Sequence, residues 1–191
     1  FGKKALAIRG SLHEENPDVW VEDYLTSIGN LSMAYSAGGQ KGLAIVLGKD
    51  ALDIVRPLHE EAPSAWIEDY SGIVGMLSSM YIVDEQYEEA IAISDELAGK
   101  IRPLYEENPE VWGDSHMANL FNLSTYYYRA NKIQKAVDAA EEVKKVLEYF
   151  FHLYNKDNLD IWNDRYDPQY DRVQDFLRHC YGILHPDAEV F

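Results

Sequence analysis

The chain has 191 residues, 47% of them hydrophobic and 26% charged, with a formal net charge of −16. A surface this acidic repels phosphates, so nucleic acid and anionic lipid are excluded as partners in the absence of a basic patch, and no dense run of Lys and Arg supplies one. No apolar stretch approaches the roughly 18–20 residues that a membrane span needs, so no membrane insertion is expected.

Cys180 is the only cysteine, which rules out an internal disulfide framework and a cysteine-rich metal site and fits a reducing, cytoplasmic compartment. The sequence starts at Phe1 without a visible signal peptide, and we expect it to be a piece of a longer protein.

In chain order, the first expected element is a short helix carrying Ala5, Leu6, Ile8 and Leu12. It ends in the octet HEENPDVW (His13–Trp20), which returns as HEEAPSAW (His59–Trp66) and YEENPEVW (Tyr105–Trp112), 46 residues apart each time. A fixed period of this length is the signature of a repeat architecture.

Each octet launches a helix, termed A. Trp20, Tyr24, Ile28, Leu31 and Tyr35 recur as Trp66, Tyr70, Val74, Leu77 and Tyr81, then as Trp112, His116, Leu120, Leu123 and Tyr127. With four residues inserted, a fourth row is Trp162, Tyr166, Tyr170, Val173 and Leu177. Spacings of three and four place each row on one helical face. Asn16 and Asn108 suit the N-cap, Pro the first helical position, and Asp18 or Glu110 the positive helix end. Ala62 lacks a capping side chain, so that junction is expected to be weaker.

A second helix, B, follows in each unit. Ala44, Leu47, Ala51 and Leu58 recur as Ala90, Ile93, Leu97 and Leu104, then as Ala136, Ala139, Val143 and Phe150. The A–B breaks fall at Gly38-Gly39, Asp84-Glu85 and Ala130-Asn131. Such short breaks make antiparallel hairpins, with Ser32 facing Ala44, Ser78 facing Ala90 and Ser124 facing Ala136. Pro57 and Pro103 are expected to bend or stop their B helices, because an interior Pro costs about 3 kcal/mol. The tryptophans of the octets are expected to wedge between neighbouring units.

This organisation predicts an all-α array: a B helix at 1–15, repeats at 16–61, 62–107 and 108–157, a partial repeat or capping helix at 158–185 and a tail at 186–191. The closing A helix is expected over Gln169–Leu184, broken at Pro168.

The pattern Leu-Ser-x-x-Tyr, a break, then Tyr-Glu-Glu-Ala-Ile (Tyr87–Ile91) resembles the tetratricopeptide repeat (TPR). N-P-x-x-W-x-x-D-Y followed by N-L-S-x-x-Y resembles its long, roughly 46-residue bacterial variety, over about Ala5 to Leu184. The resemblance implies a right-handed superhelical α-solenoid with no chemistry of its own. It implies a concave groove, lined by the A helices, that holds a protein or peptide.

In relatives the residue before the helix A Leu faces that groove, which selects Asn30, Met76 and Asn122. An amide there can hold a peptide backbone, because it offers a donor and an acceptor together. Met33, Ser79, Val83, Thr125 and Arg129 are neighbouring candidates. The alternative is that Asn30 and Asn122 are repeat consensus without a ligand. The acidity of the chain predicts a neutral or basic partner segment.

Two other roles stay open: a sensor or regulatory region of a larger signalling protein, and a structural module that self-associates through the ends of the array. Chaperone-binding relatives grip a terminal carboxylate with several Lys and Arg, and only Arg129 is placed for that. The six histidines form no ligand set, and no cofactor or metal is expected. The acidic stretch Asp157–Asp171 lacks the calcium-loop pattern, since Leu159 and Trp162 stand where an oxygen ligand and a Gly belong.

Overall fold

The computed structural model describes residues 2–154 and 166–186. Its regular elements are α1 (Gly2–Glu15), α2 (Pro17–Ala37), α3 (Lys41–Glu61), α4 (Pro63–Val83), α5 (Tyr87–Glu107), α6 (Pro109–Arg129), α7 (Ile133–Tyr154) and α8 (Asp167–Leu184). No strand occurs among the described residues. The even-numbered helices are of type A and the odd-numbered of type B. The chain divides into two compact units, Phe1–Ile93 and Ser94–Phe191. Trp162, Asp157, Asp160 and Asp164 lie outside the described residues.

The A–B turns share one geometry. Gly39, Glu85 and Asn131 all have positive φ (75°, 59° and 57°). In each turn the next N–H, from Gln40, Gln86 or Lys132, donates to the carbonyl of Tyr35, Tyr81 or Tyr127 at 2.8 Å. The N–H of the positive-φ residue itself donates to Ser36, Ile82 or Tyr128. This is the Schellman pattern, which satisfies two carbonyls that a helix end leaves open. Only the first turn uses glycine for the left-handed residue.

In unit 1 the stripe positions Ile28, Leu31, Val74, Leu77 and Tyr81 are buried together with Ala44, Ala51, Leu52 and Val55 of α3. Ser32 and Ala44 are both fully buried, and the Ser32 hydroxyl donates to the Ala44 carbonyl at 2.6 Å, so the small residues let α2 and α3 approach closely. In unit 2 Ser124 and Ala136 are equally buried, but the Ser124 hydroxyl donates to Phe121 of its own helix at 2.7 Å. The unit 2 core joins Leu120, Val143, Leu147 and Phe150 to Tyr166, Val173 and Leu177.

Three sequence expectations need correction. Pro57 and Pro103 do not stop their helices, which run on to Glu61 and Glu107. Each proline lies four residues before the C-terminal end of its helix, so only the last turn follows the backbone donor it removes. Asn16 occupies the N-cap of α2 without a side-chain bond, and only Asn108 accepts from its helix, from the Val111 N–H at 3.4 Å. Pro168 does not break the last helix. It sits in the first turn of α8, where its missing N–H is not needed.

The octet junctions pair rings between a B helix and the next A helix. In unit 1, His13 stacks on Tyr24 with centroids 5.1 Å apart, and His59 lies 5.3 Å from Tyr70. In unit 2 the two residue types are exchanged: Tyr105 of α5 stacks on His116 of α6 at 4.6 Å. The exchange puts the imidazole deep in the core, at 1% exposure, with Nε2 3.4 Å from Glu142 of α7. Glu142 also pairs with Arg102 at 2.7 Å. The hydrogen bond to His116, together with Arg102, holds the Glu142 carboxyl down to about 2 against the opposing effect of burial.

The octet tryptophans Trp20, Trp66 and Trp112, expected to wedge between neighbouring units, are half-buried. Trp66 borders a cavity of about 510 Å³ with His13, Val21, Ile54, Pro57 and Leu58. In unit 2 a ring fills the neighbouring space. Gly113 stands at the repeat position of Val21 and Ile67, and Phe150 at that of Leu58 and Leu104. A methyl group on Gly113 would lie 2.6 Å from Phe150 Cε2 and closer still to Cζ. Phe150 stacks in turn on Tyr166 at 4.9 Å and on Tyr154 at 5.9 Å.

Candidate functional site: grooves between A helices

In unit 1, α2 and α4 lie side by side and leave a groove of about 430 Å³ between them. It is lined by Leu25, Thr26, Gly29 and Met33 of α2 and by Glu68, Asp69, Gly72, Ile73 and Met76 of α4, with no residue of α1 or α3. The groove exists because side chains are missing. A Cβ on Gly72 would meet nothing within 4 Å, and one on Gly29 would meet only the Met76 sulfur at 3.8 Å.

The groove has two ends of different chemistry. Gly29 faces Met76, and seven residues earlier on each helix the Glu22 charge reaches Asp69. The helices therefore run in the same direction, with a methionine end and a carboxylate end. Burial first, then the Glu22 and Glu68 charges, push the Asp69 carboxyl above its ordinary range. The salt bridges of the described residues include no cationic partner for Glu22, Glu68 or Asp69.

In unit 2 the groove between α6 and α8 is smaller, about 200 Å³, and is lined by Met117, Ala118, Phe121, Asn122, Val143, Gln169, Arg172 and Val173. Phe121 fills the repeat position that Gly29 and Gly75 leave empty. The Arg172 guanidinium lies 5.0 Å above the Phe121 ring. Five of its eight lining residues are apolar, and Arg172 brings a cation into this groove, whereas the first carries carboxylates.

Of the residues singled out in the sequence, the structure brings Met33 and Met76 into the first groove and Asn122 into the second. Asn30, Ser79 and Val83 are exposed on the same helices outside the groove lining, and Ser79 donates to the Gly75 carbonyl of its own helix at 2.8 Å. In unit 2 Thr125 is half-buried and donates to Phe121 at 3.1 Å, while Arg129 is the exposed last residue of α6.

Sequence reasoning missed Arg172, although the fourth row already contained the signal: Val173 aligns with Leu31, Leu77 and Leu123, so Arg172 stands where Asn30, Met76 and Asn122 do. It also missed Glu68, Asp69 and the two groove glycines. In the sequence the carboxylates are two among 33 acidic residues, and the groove is made by absent side chains.

No protein-family model matches the chain, and no curated protein matches it. Solved structures do. A Podosopora anserina protein described as a kinesin light chain with nearly identical TPR-like repeats superposes with a TM-score of 0.61 and 22% identity, over 97% of this chain and 84% of that one. A single-substitution form of it gives the same values. BtubC from P. vanneervenii superposes with a TM-score of 0.60 and 15% identity, over 98% of this chain and 74% of that one. At these identities the likeness speaks for the fold. The chain has the TPR-like repeat fold, an all-helical architecture of the α-solenoid class built from successive antiparallel helix pairs.

Proposed function

We propose that the chain is a protein-interaction module that takes a segment of a partner protein on the open face of its A helices and performs no chemistry itself. The observation that carries this reading is the unit 1 groove. Two methionines lie there beside a glycine floor, in open space that no residue of the B helices fills. Methionine is a flexible apolar side chain suited to adaptable contacts. Among the described residues, no group of three or more His, Cys, Asp and Glu side chains could hold a metal ion. Asn122 in unit 2 can add amide hydrogen bonds to a backbone. Asn30, Ser79 and Val83 in unit 1, and Thr125 and Arg129 in unit 2, would extend contact beyond the walls of each unit's own groove.

The test uses random 12-residue peptides displayed on phage and selected on the intact chain. Gly72→Leu projects a side chain into the unit 1 groove from a position where a Cβ meets nothing within 4 Å. Selected peptides are expected to lose at least about tenfold in affinity for Gly72→Leu, because the variant displaces their buried side chain. The variant's helical circular dichroism should match the parent's. Peptides that bind parent and variant equally would overturn the reading.

A further inference from the structure

The two ends of the unit 1 groove specify more than an interaction surface. On α4 the methionine end (Met76) and the carboxylate end (Asp69) are seven residues apart, about 10 Å at ~1.5 Å per residue. An extended strand covers that distance in about three residues at ~3.3 Å each.

Resting on the groove reading above, we propose that the α2–α4 groove binds an extended partner segment carrying an apolar side chain and, about three residues away, an Arg or Lys. The apolar side chain enters between Met33 and Met76 above Gly29. The cation lies against Glu22, Glu68 and Asp69.

Three observations support this occupant over a purely apolar one. Glu68 and Asp69 line the same groove as the methionines, with the Glu22 charge beside Asp69, so a ligand long enough to use one end reaches the other. Burial first, and then the neighbouring Glu22 and Glu68 charges, disfavour the ionised Asp69 carboxyl, and a cation placed there offsets the part due to the charges. The chain as a whole is strongly acidic, at −16, which draws a basic segment in and repels an acidic one. An Arg can engage two carboxylates at once, so we expect it to be preferred over Lys.

The phage selection also tests this proposal. Sequences captured by the parent are expected to pair an apolar residue with Arg or Lys at a separation near three. Calorimetry on the strongest of them is expected to show a loss of about tenfold for the double variant Glu68→Gln with Asp69→Asn, together with a weaker salt dependence. Met33→Ala with Met76→Ala should also lose affinity but keep the salt dependence.

The outcomes separate the two claims. Peptides that Gly72→Leu blocks, but that carry no basic residue and ignore the double variant, overturn the charged occupant and leave the groove reading standing. A preferred separation near seven would mean a helical ligand and overturn the extended one. Enrichment of acidic residues, or no binder at all, overturns the proposal outright.

Discussion

Units 1 and 2 are built on the same repeat and differ where its large residues meet. In unit 1 the junction beside Trp66 keeps a cavity of about 510 Å³, and the A-helix groove is floored by glycine and edged by carboxylates. In unit 2 Phe150 closes down on Gly113 and stacks with Tyr154 and Tyr166, Phe121 replaces the groove glycine, and Arg172 covers it. The repeat sets the positions of the backbone and the stripe. What each unit can hold is decided by a few exchanges, of phenylalanine for glycine and leucine and of arginine for methionine.

The sharpest way to break this comparison is to truncate the residue that distinguishes the junctions. Phe150→Ala is expected to cost about 3–5 kcal/mol, as for a fully buried aromatic. Trp66→Ala is expected to cost only about 1–2 kcal/mol, because the ring is half-buried and borders open space. Chemical denaturation of both variants measures the gap. Equal losses would mean that the tryptophan is a wedge after all.

Gly113→Ala sharpens the same point from the other side. Although alanine is the better helix former, the methyl group collides with Phe150, and a loss of about 1–3 kcal/mol is expected from overpacking. Adding Phe150→Leu, the residue at positions 58 and 104, should recover much of that loss. A neutral Gly113→Ala would show that the ring moves aside freely.

The ring exchange at His116 brings the imidazole against Glu142 in an acid-sensitive contact. Glu142 titrates at about 2 in the folded chain, below its usual value of 4.5. A depressed carboxyl stabilises the fold above the unfolded value and loses that contribution as pH falls from about 4.5 to about 2. Denaturation midpoints across this range should fall less steeply for Glu142→Gln than for the parent. Identical slopes would remove the His116–Glu142–Arg102 contact from the account.

The smallest effect expected lies in the turns. Glu85→Gly should stabilise unit 1 by up to about 1 kcal/mol, since glycine carries no left-handed penalty. Asn131→Gly should gain less, because Asn tolerates that conformation. Thermal denaturation of the two variants ranks them.

These contrasts explain what could be read from the sequence. The helices follow from periodicity. The stripe Ile28–Leu31, repeated at Val74–Leu77 and Leu120–Leu123, needs no knowledge of the partner helix, and all six residues are buried. Helix ends were harder to place, because Pro57 and Pro168 are read correctly only when their distance from the helix terminus is known. Of the site residues, Met33, Met76 and Asn122 were legible from repeat register alone. Glu68, Asp69, Gly29 and Gly72 were not, because a groove is a property of two helices together and depends on which side chains are missing.

The central claim is that the face of α2 and α4 turned away from α3 is a binding surface, and the most direct measurement is a calorimetric titration of one selected peptide into the parent and into Gly72→Leu. The account predicts saturable binding to the parent, a loss of at least about tenfold for the variant, and helical content unchanged between the two. Equal affinity for both proteins would contradict it and move the interaction off this groove.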